Sequence, residues 1–348
     1  MKKLASFLIV LLVVSLLAGC AGTPVVYYTN CTCPSGSHID TPVVNEPVVP
    51  AEGAVKTGLA IVPSVTGSSA TADASGKVEY DVTVVAVNVD DNGVITSCII
   101  DSIGSSVEFD ATGNPVAADS VEVKTKNEKG YDYGMKAYAG AAYEWFEQAQ
   151  ALADYAVGKT VEELKNGAVN ESGKAKDADL ATKATIYIGG YVASIEKAVA
   201  NATHLGAQAG DELKLSIICT QDAAAGSAQL NVDAAAVTFQ GEIITSCAID
   251  ALQAKVAFND AGTITTDLTA APQTKNELGE AYGMKAIAYA KFEWNEQAAN
   301  FAAYVTGKTA ADVAGIAVSE GKPADADLSA TVTIAIGGFQ ALIAKAAQ

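Results

Sequence analysis

The hydrophobic pattern of this chain predicts two β-hairpins of similar design. The segment KVEYDVTVVAVNVD alternates or is β-branched, turns at Asp91-Asn92-Gly93 and continues as VITSCIIDSI, which predicts the first hairpin. The segments AQLNVDAAAVTFQ and IITSCAIDAL, joined by a turn at Gly241-Glu242, predict the second. The apolar runs TGLAIVPSV and ELKLSIICT precede the hairpins. A pair of short strands is expected after each, in SVEFDATGNPV and KVAFNDAGTIT.

Beyond about residue 133 the period becomes helical. MKAYAGAAYEWFEQAQALADYAVG and MKAIAYAKFEWNEQAANFAAYVTG each predict one long helix, with Gly158 or Gly307 as the glycine that ends it. Thr160 and Glu163 have the spacing of a capping box, which predicts a short second helix. We expect DADLATKATIYIGG and DADLSATVTIAIGG to form a strand or loop, followed by a terminal helix.

The two halves of the chain are variants of one sequence. ITSCIID at 95–101 returns as ITSCAID at 244–250, and TKNEKGYDYGMK at 125–136 returns as TKNELGEAYGMK at 274–285, an offset of 149 residues. Solenoid units are about 20–50 residues long, so this longer period indicates a duplicated domain. Positions that are the same in both copies are candidates for the core or for a site.

The expected fold class is therefore α+β, in two tandem copies of one domain. Each copy is a β-hairpin or small antiparallel sheet packed with a long helix and a C-terminal helix. The first repeat is predicted at 55–202, the joint at 203–207 and the second repeat at 208–348. Each repeat is close to the usual size of a domain and can bury a core of its own.

The first 20 residues, MKKLASFLIVLLVVSLLAGC, predict a bacterial lipoprotein signal sequence. The ending Leu-Ala-Gly-Cys resembles a lipobox, so we expect Cys20 to be lipidated and to anchor the protein on the extracytoplasmic face of the cell membrane. A plain secretory signal and a membrane span are the alternatives, but the apolar run is short for a span of about 20 residues. Residues 21–54 contain repeated Pro-Val-Val units, which favour an extended spacer.

Composition excludes several functions. The net charge of −18 comes from 40 acidic residues against 22 basic ones, and every basic residue is lysine. Without arginine the chain lacks a planar bidentate group for phosphate, and an acidic surface repels nucleic acid, so no nucleic-acid partner is expected. The two histidines are His38 in the spacer and His204 in the joint. The repeats therefore lack the imidazole of a catalytic triad or a His-rich metal site, and we predict no catalytic or metal residues.

The cysteines divide into two groups. Cys31 and Cys33 lie in the spacer as a CxC motif, which is either a metal or redox pair or a disulfide-forming pair. A tetrahedral zinc site needs a second pair of ligands that this motif lacks. Cys98, Cys219 and Cys247 lie in apolar strand-like runs, so they are predicted to be buried small hydrophobic residues.

Both repeats resemble a known family in the order of their elements. A strand hairpin comes first, then a helix with W-x-x-Q that ends near G-K, then an Asp, a short Ala-Thr segment and a terminal helix. This order resembles the FMN-binding domain of flavin-carrying subunits of ion-pumping respiratory reductases and of flavin-bearing surface lipoproteins of Gram-positive anaerobes. The resemblance covers nearly the whole mature chain. It implies FMN attached as a phosphoester to Thr or Ser in a motif like S/T-G-A-T-x-T/S.

The resemblance assigns the attachment position in each repeat. In the second repeat Thr331 is at the acceptor position, and Ser329 is at the position of the motif's Gly. In the first repeat Lys183 is at the acceptor position. The remaining hydroxyl candidates are Thr182, Thr185 and Thr333.

Local chemistry supports a phosphate site near these hydroxyls. They lie just before the terminal helices, whose free backbone N–H groups favour anions. The lysines kept in both copies can act as point charges on a phosphate, and the kept tyrosines can cover an isoalloxazine ring. The TKNE segment is polar, repeated and not obviously needed for packing. The residues predicted here to bind the cofactor are Lys126, Asn127, Lys136, Lys275, Asn276, Lys285, Tyr133 and Tyr282.

Two functions of different classes are consistent with these features. The first is a surface-anchored flavoprotein that relays electrons from a membrane redox donor to acceptors outside the cell, with the flavin doing the chemistry. The second is a cofactor-free surface lipoprotein that uses the same fold for solute binding, adhesion or envelope structure. The departures from the attachment motif, the low aromatic content and the absence of arginine favour the second. A third hypothesis is an enzyme that acts on envelope polymers.

Overall fold

The computed structural model describes residues 53–117, 120–287 and 290–348. The predicted signal sequence with Cys20, and the predicted spacer as far as residue 52 with both of its cysteines, lie outside the described residues. In the part of the chain that is described, no helix is long and apolar enough to cross a bilayer.

The first repeat begins with strands and ends with helices. Its elements are β1 (Lys56–Ser68), β2 (Gly76–Val89), β3 (Ile95–Phe109), β4 (Ser120–Glu122), α1 (Lys126–Lys129), α2 (Met135–Ala139), α3 (Trp145–Ala156), α4 (Val161–Ala168), α5 (Ala178–Lys183) and α6 (Gly189–Ala200). A turn of 3₁₀ helix, Gly130–Tyr133, joins α1 to α2.

The second repeat has a similar order. Its elements are β5 (Glu212–Ala224), β6 (Ser227–Gln240), β7 (Ile243–Ala257), α7 (Lys275–Leu278), α8 (Met284–Ile287), α9 (Trp294–Val305), α10 (Ala310–Ala314), β8 (Val318–Ser319), β9 (Lys322–Pro323), α11 (Ala326–Ser329) and α12 (Gly337–Ala346). Its described residues include no strand that corresponds to β4, and two short strands, β8 and β9, lie between α10 and α11. This mixture of helices and antiparallel sheets confirms the predicted α+β class.

Each repeat contributes one antiparallel sheet of long strands. The first sheet has the order β1-β2-β3, and the second has the order β4-β5-β6-β7. Strand β4 belongs to the first repeat but pairs with β5 of the second, Ser120 opposite Asp222. The pairing of β2 with β3 shifts register at Asn88/Val89, and that of β6 with β7 shifts at Thr238/Phe239.

The two sheets pack face to face between two layers of helices. Alternate residues of β2 point to opposite faces, as the strand period requires. Val82 and Val84 lie in a core shared with the second sheet, whereas Val85 and Val87 lie in a core with α3 and α6. The second sheet packs on α9 and α12 in the same way. The molecule is therefore built as helices, sheet, sheet, helices.

The shared core joins the described residues of both repeats into one compact unit. Phe109 of β3 and Phe258, just after β7, stack across it with ring centroids 4.0 Å apart and planes 6° apart. The loops that follow these rings approach too closely for a side chain. A Cβ at Gly113, which has φ 72°, would lie 2.3 Å from the Asn259 carbonyl oxygen. The sequence suggests that each repeat buries its own core, and the structure adds a core that belongs to both.

The structure differs from the sequence prediction at three places. The short strands expected after each hairpin are the ends of β3 and β7, which run on to Phe109 and Ala257. The segment predicted as one long helix contains two in each repeat. In the first repeat Gly140, with φ 64°, ends α2, and Glu144 in extended conformation begins α3. The DADL segments form short helices because Asp177 and Asp325 cap them.

Other local predictions are confirmed. Gly158 and Gly307 follow α3 and α9 with φ of 80° and 85°. Thr160 and Glu163 form the predicted capping box of α4. The three cysteines of the repeats are buried, and burial raises the pKa of Cys98 to about 12.

We predict that the repeats unfold together. Phe258→Ala should lower the free energy of unfolding by about 3–5 kcal/mol, because it leaves a cavity in the shared core. Fluorescence from Trp145 and from Trp294, each isolated by changing the other to Phe, should report one transition at the same urea midpoint. Tyr138→Ala, at an 89% exposed position, serves as the control and should change stability by no more than about 0.5 kcal/mol. A shift confined to the Trp294 signal would contradict the shared core.

Candidate functional site

The TKNE segments form tight helix starts. In the first repeat the Thr125 N–H donates to Glu128 at 2.7 Å and the Glu128 N–H donates to the Thr125 hydroxyl at 3.2 Å. Thr274 and Glu277 repeat this reciprocal arrangement at 2.8 and 3.2 Å. Both pairs are capping boxes, so the threonine and glutamate serve the backbone of α1 and α7.

The lysines of these segments lie between aromatic rings. The Lys126 Nζ is 5.6 Å from the ring centroid of Tyr133 and 5.2 Å from that of Trp145. Lys275 lies in the same way, 5.1 Å from Tyr282 and 4.8 Å from Trp294. Burial lowers the pKa of Lys126, and the nearby carboxylates of Asp81 and Asp101 oppose that change. The kept lysine, tyrosine and tryptophan thus form cation–π contacts with one another.

The asparagines of TKNE attach each segment to a buried strand. The Asn276 side chain donates to the Ile249 carbonyl oxygen at 2.9 Å, and its backbone N–H donates to Asp250 at 3.1 Å. Asn127 makes the equivalent bonds to Ile100 and Asp101. Burial raises the pKa of Asp101 and of Asp250 to about 6, although hydrogen bonds from neighbouring hydroxyl and N–H groups oppose this.

The glutamates of TKNE reach across to the other repeat. Glu277 of the second repeat accepts from Lys197 of α6 at 2.6 Å, and Glu128 of the first repeat pairs with Lys345 of α12. These two pairs are reciprocal. Each lysine also donates to a carbonyl oxygen of the first strand of its own repeat, at Ile61 or Ile217. Each TKNE segment is therefore linked, through one lysine, to the terminal helix and the first strand of the opposite repeat.

The kept YGMK segments are held by a buried glutamate. The Glu144 carboxylate accepts from the backbone N–H groups of Met135 at 2.7 Å and Lys136 at 3.1 Å. Glu293 does the same for Met284 and Lys285 at 2.8 and 3.0 Å. The side chains of Lys136 and Lys285 form ion pairs with Glu147 and Glu296 at 2.8 and 2.7 Å. Hydrogen bonds to these glutamates raise the pKa of both lysines.

The threonines before the terminal helices bond within the protein. The buried Gln297 accepts from the Thr333 N–H at 2.7 Å and its hydroxyl at 3.2 Å, and Gln148 accepts likewise from Thr185. The Thr182 hydroxyl donates to the Asp179 carbonyl oxygen at 2.7 Å. Thr331, at the acceptor position of the flavin motif, is half-buried, and its hydroxyl lies 3.4 Å from the Leu328 carbonyl oxygen.

A cleft of about 720 Å³ lies between the repeats. The first repeat contributes β1, α6 and the joint, and the second contributes β7, α7 and α9. Its lining includes Asp250, Asn276 and Glu277 beside the small residues Ala299 and Ala303. No Phe, Tyr or Trp is among the described residues that line it.

The cleft lies where the two repeats differ. Asn295, Ala299 and Ala303 of α9 correspond, at the offset of 149, to Phe146, Gln150 and Asp154 of α3. A cleft of about 530 Å³ on α3 is lined by these larger residues, and all of its lining residues belong to the first repeat. Among the predicted cofactor residues only Asn127 and Asn276 line these two clefts. The α9 positions were not among the predicted site residues, because those were chosen where the two copies have the same residue. The α9 positions are instead distinguished by having different residues in the two copies.

No protein-family model, no curated protein and no solved structure matches this chain. The resemblance to FMN-binding domains therefore stays a prediction. The hydroxyl groups of Thr182, Thr185 and Thr333 and the ammonium groups of Lys136 and Lys285 bond to other residues of the protein. Ten of the twelve predicted cofactor residues lie outside both clefts.

Asp250 gives a testable pH dependence. Its pKa is about 6 in the folded protein and 3.8 ordinarily, so the folded state binds more protons between these values. The stability it contributes is fully present below pH 3.8 and is lost as the pH rises through about 6. Asp250→Asn removes this titration. From pH 4 to pH 7 the free energy of unfolding of the variant should rise relative to the native protein, by on the order of 2 kcal/mol.

Urea midpoints at both pH values measure this difference. Asp110→Asn is the control, because hydrogen bonds from Asn114 and Thr112 lower the pKa of Asp110 below its ordinary 3.8. Its titration therefore lies below this pH range, and the stability difference for this variant should be nearly the same at pH 4 and pH 7. The second repeat carries Asn259 at that position, so the fold accepts the change. Equal stability differences for Asp250→Asn at the two pH values would contradict the assignment.

Proposed function

We propose that this protein is a membrane-anchored extracytoplasmic lipoprotein that binds a small solute in the cleft between its repeats. The observation that carries the proposal is the cleft itself, lined by both repeats and widened by the small residues of α9. Ligand sites are commonly clefts of about 300–1,000 Å³ between domains, with apolar walls and a few polar groups. The cleft of about 720 Å³ has these properties.

The rigidity of its walls supports the same function. Leu59 and Ile61 of β1 line the cleft and also pack in the shared core, and Ala60 between them packs on the helices of the first repeat. On the other side, the ion pair between Lys197 and Glu277 fixes α7 against the first repeat. A site held by strands and helices of this kind is formed before the ligand arrives, which lowers the entropy lost on binding.

The flavin electron relay has less support. Its attachment position, Thr331, lines neither cleft, and the described residues that line the cleft between the repeats include no aromatic side chain to stack on an isoalloxazine ring. The kept tyrosines and lysines contact each other instead. These observations favour the solute-binding function over the flavin relay.

A library of small polar and amphipathic solutes tests the cleft. A ligand present at about 100 times its Kd should add about 2.7 kcal/mol to the free energy of unfolding, seen as a rise in Tm. Ala299→Gln combined with Ala303→Asp, which copies the first repeat, should abolish that rise by filling the cleft. The reverse pair in α3, Gln150→Ala with Asp154→Ala, should leave it unchanged. A ligand whose effect survives the α9 substitutions would contradict this location.

Intact-mass measurement tests the anchor and the flavin together. Protein extracted from bacterial membranes after expression with FMN and a flavin-attaching enzyme should begin at a lipidated Cys20 and carry no flavin mass. Cys20→Ala should leave the protein outside the membrane fraction, because a lipid chain supplies about 0.8 kcal/mol of membrane affinity per buried methylene. A yellow protein whose extra mass is lost in Thr331→Ala would establish the flavin hypothesis instead.

A further inference from the structure

Asn295 places a polar atom without a partner beside the cleft. It is the second residue of α9 and lines the cleft, and its Oδ1 is buried without a hydrogen-bond donor among the described residues. A buried acceptor without a donor is unfavourable, so natural proteins rarely keep one without a reason. The first repeat has Phe146 at the corresponding position. The acceptor is thus a feature of this cleft and is not shared by the two copies.

The charges that line the cleft leave one carboxylate without a cation. Lys197 pairs with Glu277 at 2.6 Å, and His204 pairs with Asp91 at 2.9 Å. Asp250 accepts hydrogen bonds from the backbone N–H groups of Ala251 and Asn276. No lysine or histidine of the described residues lies within ion-pair distance of its carboxylate. The protein carries a net charge of −18, which attracts cations to its surface.

The remaining wall is aliphatic. The first repeat and the joint contribute the side chains of Leu59, Ile61 and Leu205 to this wall, and the second repeat contributes those of Ala299 and Ala303. These side chains favour the hydrocarbon part of a ligand through the hydrophobic effect. They offer no aromatic face on which a nucleobase or flavin ring could stack.

We propose that the cleft binds a small aliphatic ammonium compound, whose cationic head donates to Asn295 and takes Asp250 as its counter-ion while its hydrocarbon body lies on the aliphatic wall. This inference rests on the proposed solute-binding function and names the class of solute.

Three probes with the same six-carbon body separate the head groups. Hexylamine, hexan-1-ol and hexanoate are titrated into the purified protein at neutral pH, and Kd is measured by NMR. Hexylamine should bind at least about tenfold more tightly than hexan-1-ol, because a charge-assisted hydrogen bond is about twice as strong as a neutral one. Hexanoate should not bind measurably.

Two substitutions of Asn295 sharpen the test. Asn295→Phe copies the first repeat, so it should abolish hexylamine binding and raise Tm without ligand by removing the unpaired acceptor. Asn295→Asp keeps an acceptor, adds negative charge in the first turn of a helix where it is tolerated, and should tighten hexylamine binding about tenfold without changing the affinity for hexan-1-ol. Gln150→Ala on α3 should alter neither affinity.

The outcomes distinguish the two proposals. Equal affinity for the amine and the alcohol, or binding of hexanoate, would overturn the ammonium assignment. If no six-carbon probe binds but another solute stabilises the protein in an Ala299-dependent way, the ligand class is wrong and the binding function stands. If no solute has an effect that depends on Ala299, both proposals fail.

Discussion

Face-to-face packing of the two sheets is the constraint on which the rest of this structure depends. Each sheet has apolar side chains on both faces, so each must be covered twice, once by its own helices and once by the other sheet. Val82 and Val84 of β2 are fully buried in the shared core, and Leu230 and Val232 of β6 meet them from the other repeat. Neither sheet can bury that face within its own repeat, which makes the molecule one unit.

The polar residues kept in both repeats position this packing and supply little of its energy. Half-exposed ion pairs such as Lys197 with Glu277 contribute about 0–1 kcal/mol each, whereas fully burying one large apolar side chain contributes about 1.5–3 kcal/mol. The shared core therefore provides the stability. The reciprocal ion pairs, the capping boxes and the asparagine bonds determine how the repeats are aligned. A cleft forms between them where α9 carries small residues and the matching helix carries larger ones.

Much of the local structure could be predicted from sequence, because it depends on neighbours in the chain. The hairpin turns, the glycines after α3 and α9 and the capping box at Thr160 are of this kind. The division of each predicted long helix into two could not be predicted from sequence. It depends on the carboxylates of Glu144 and Glu293, which accept hydrogen bonds from backbone N–H groups eight or nine residues away. The role of TKNE was also missed. Its glutamates pair with lysines of the opposite repeat, which no local pattern reveals.

Native-state hydrogen exchange of the backbone amides in β2 and β6 tests the shared core most directly. Amides of core strands exchange through the opening of the cooperative unit to which they belong. If the shared core holds the repeats together, the central amides of β2 in one repeat and β6 in the other should have the same opening free energy, with the same dependence on denaturant. Two separate opening free energies, with one strand exchanging while the other stays protected, would show that the repeats unfold independently and would contradict a shared core.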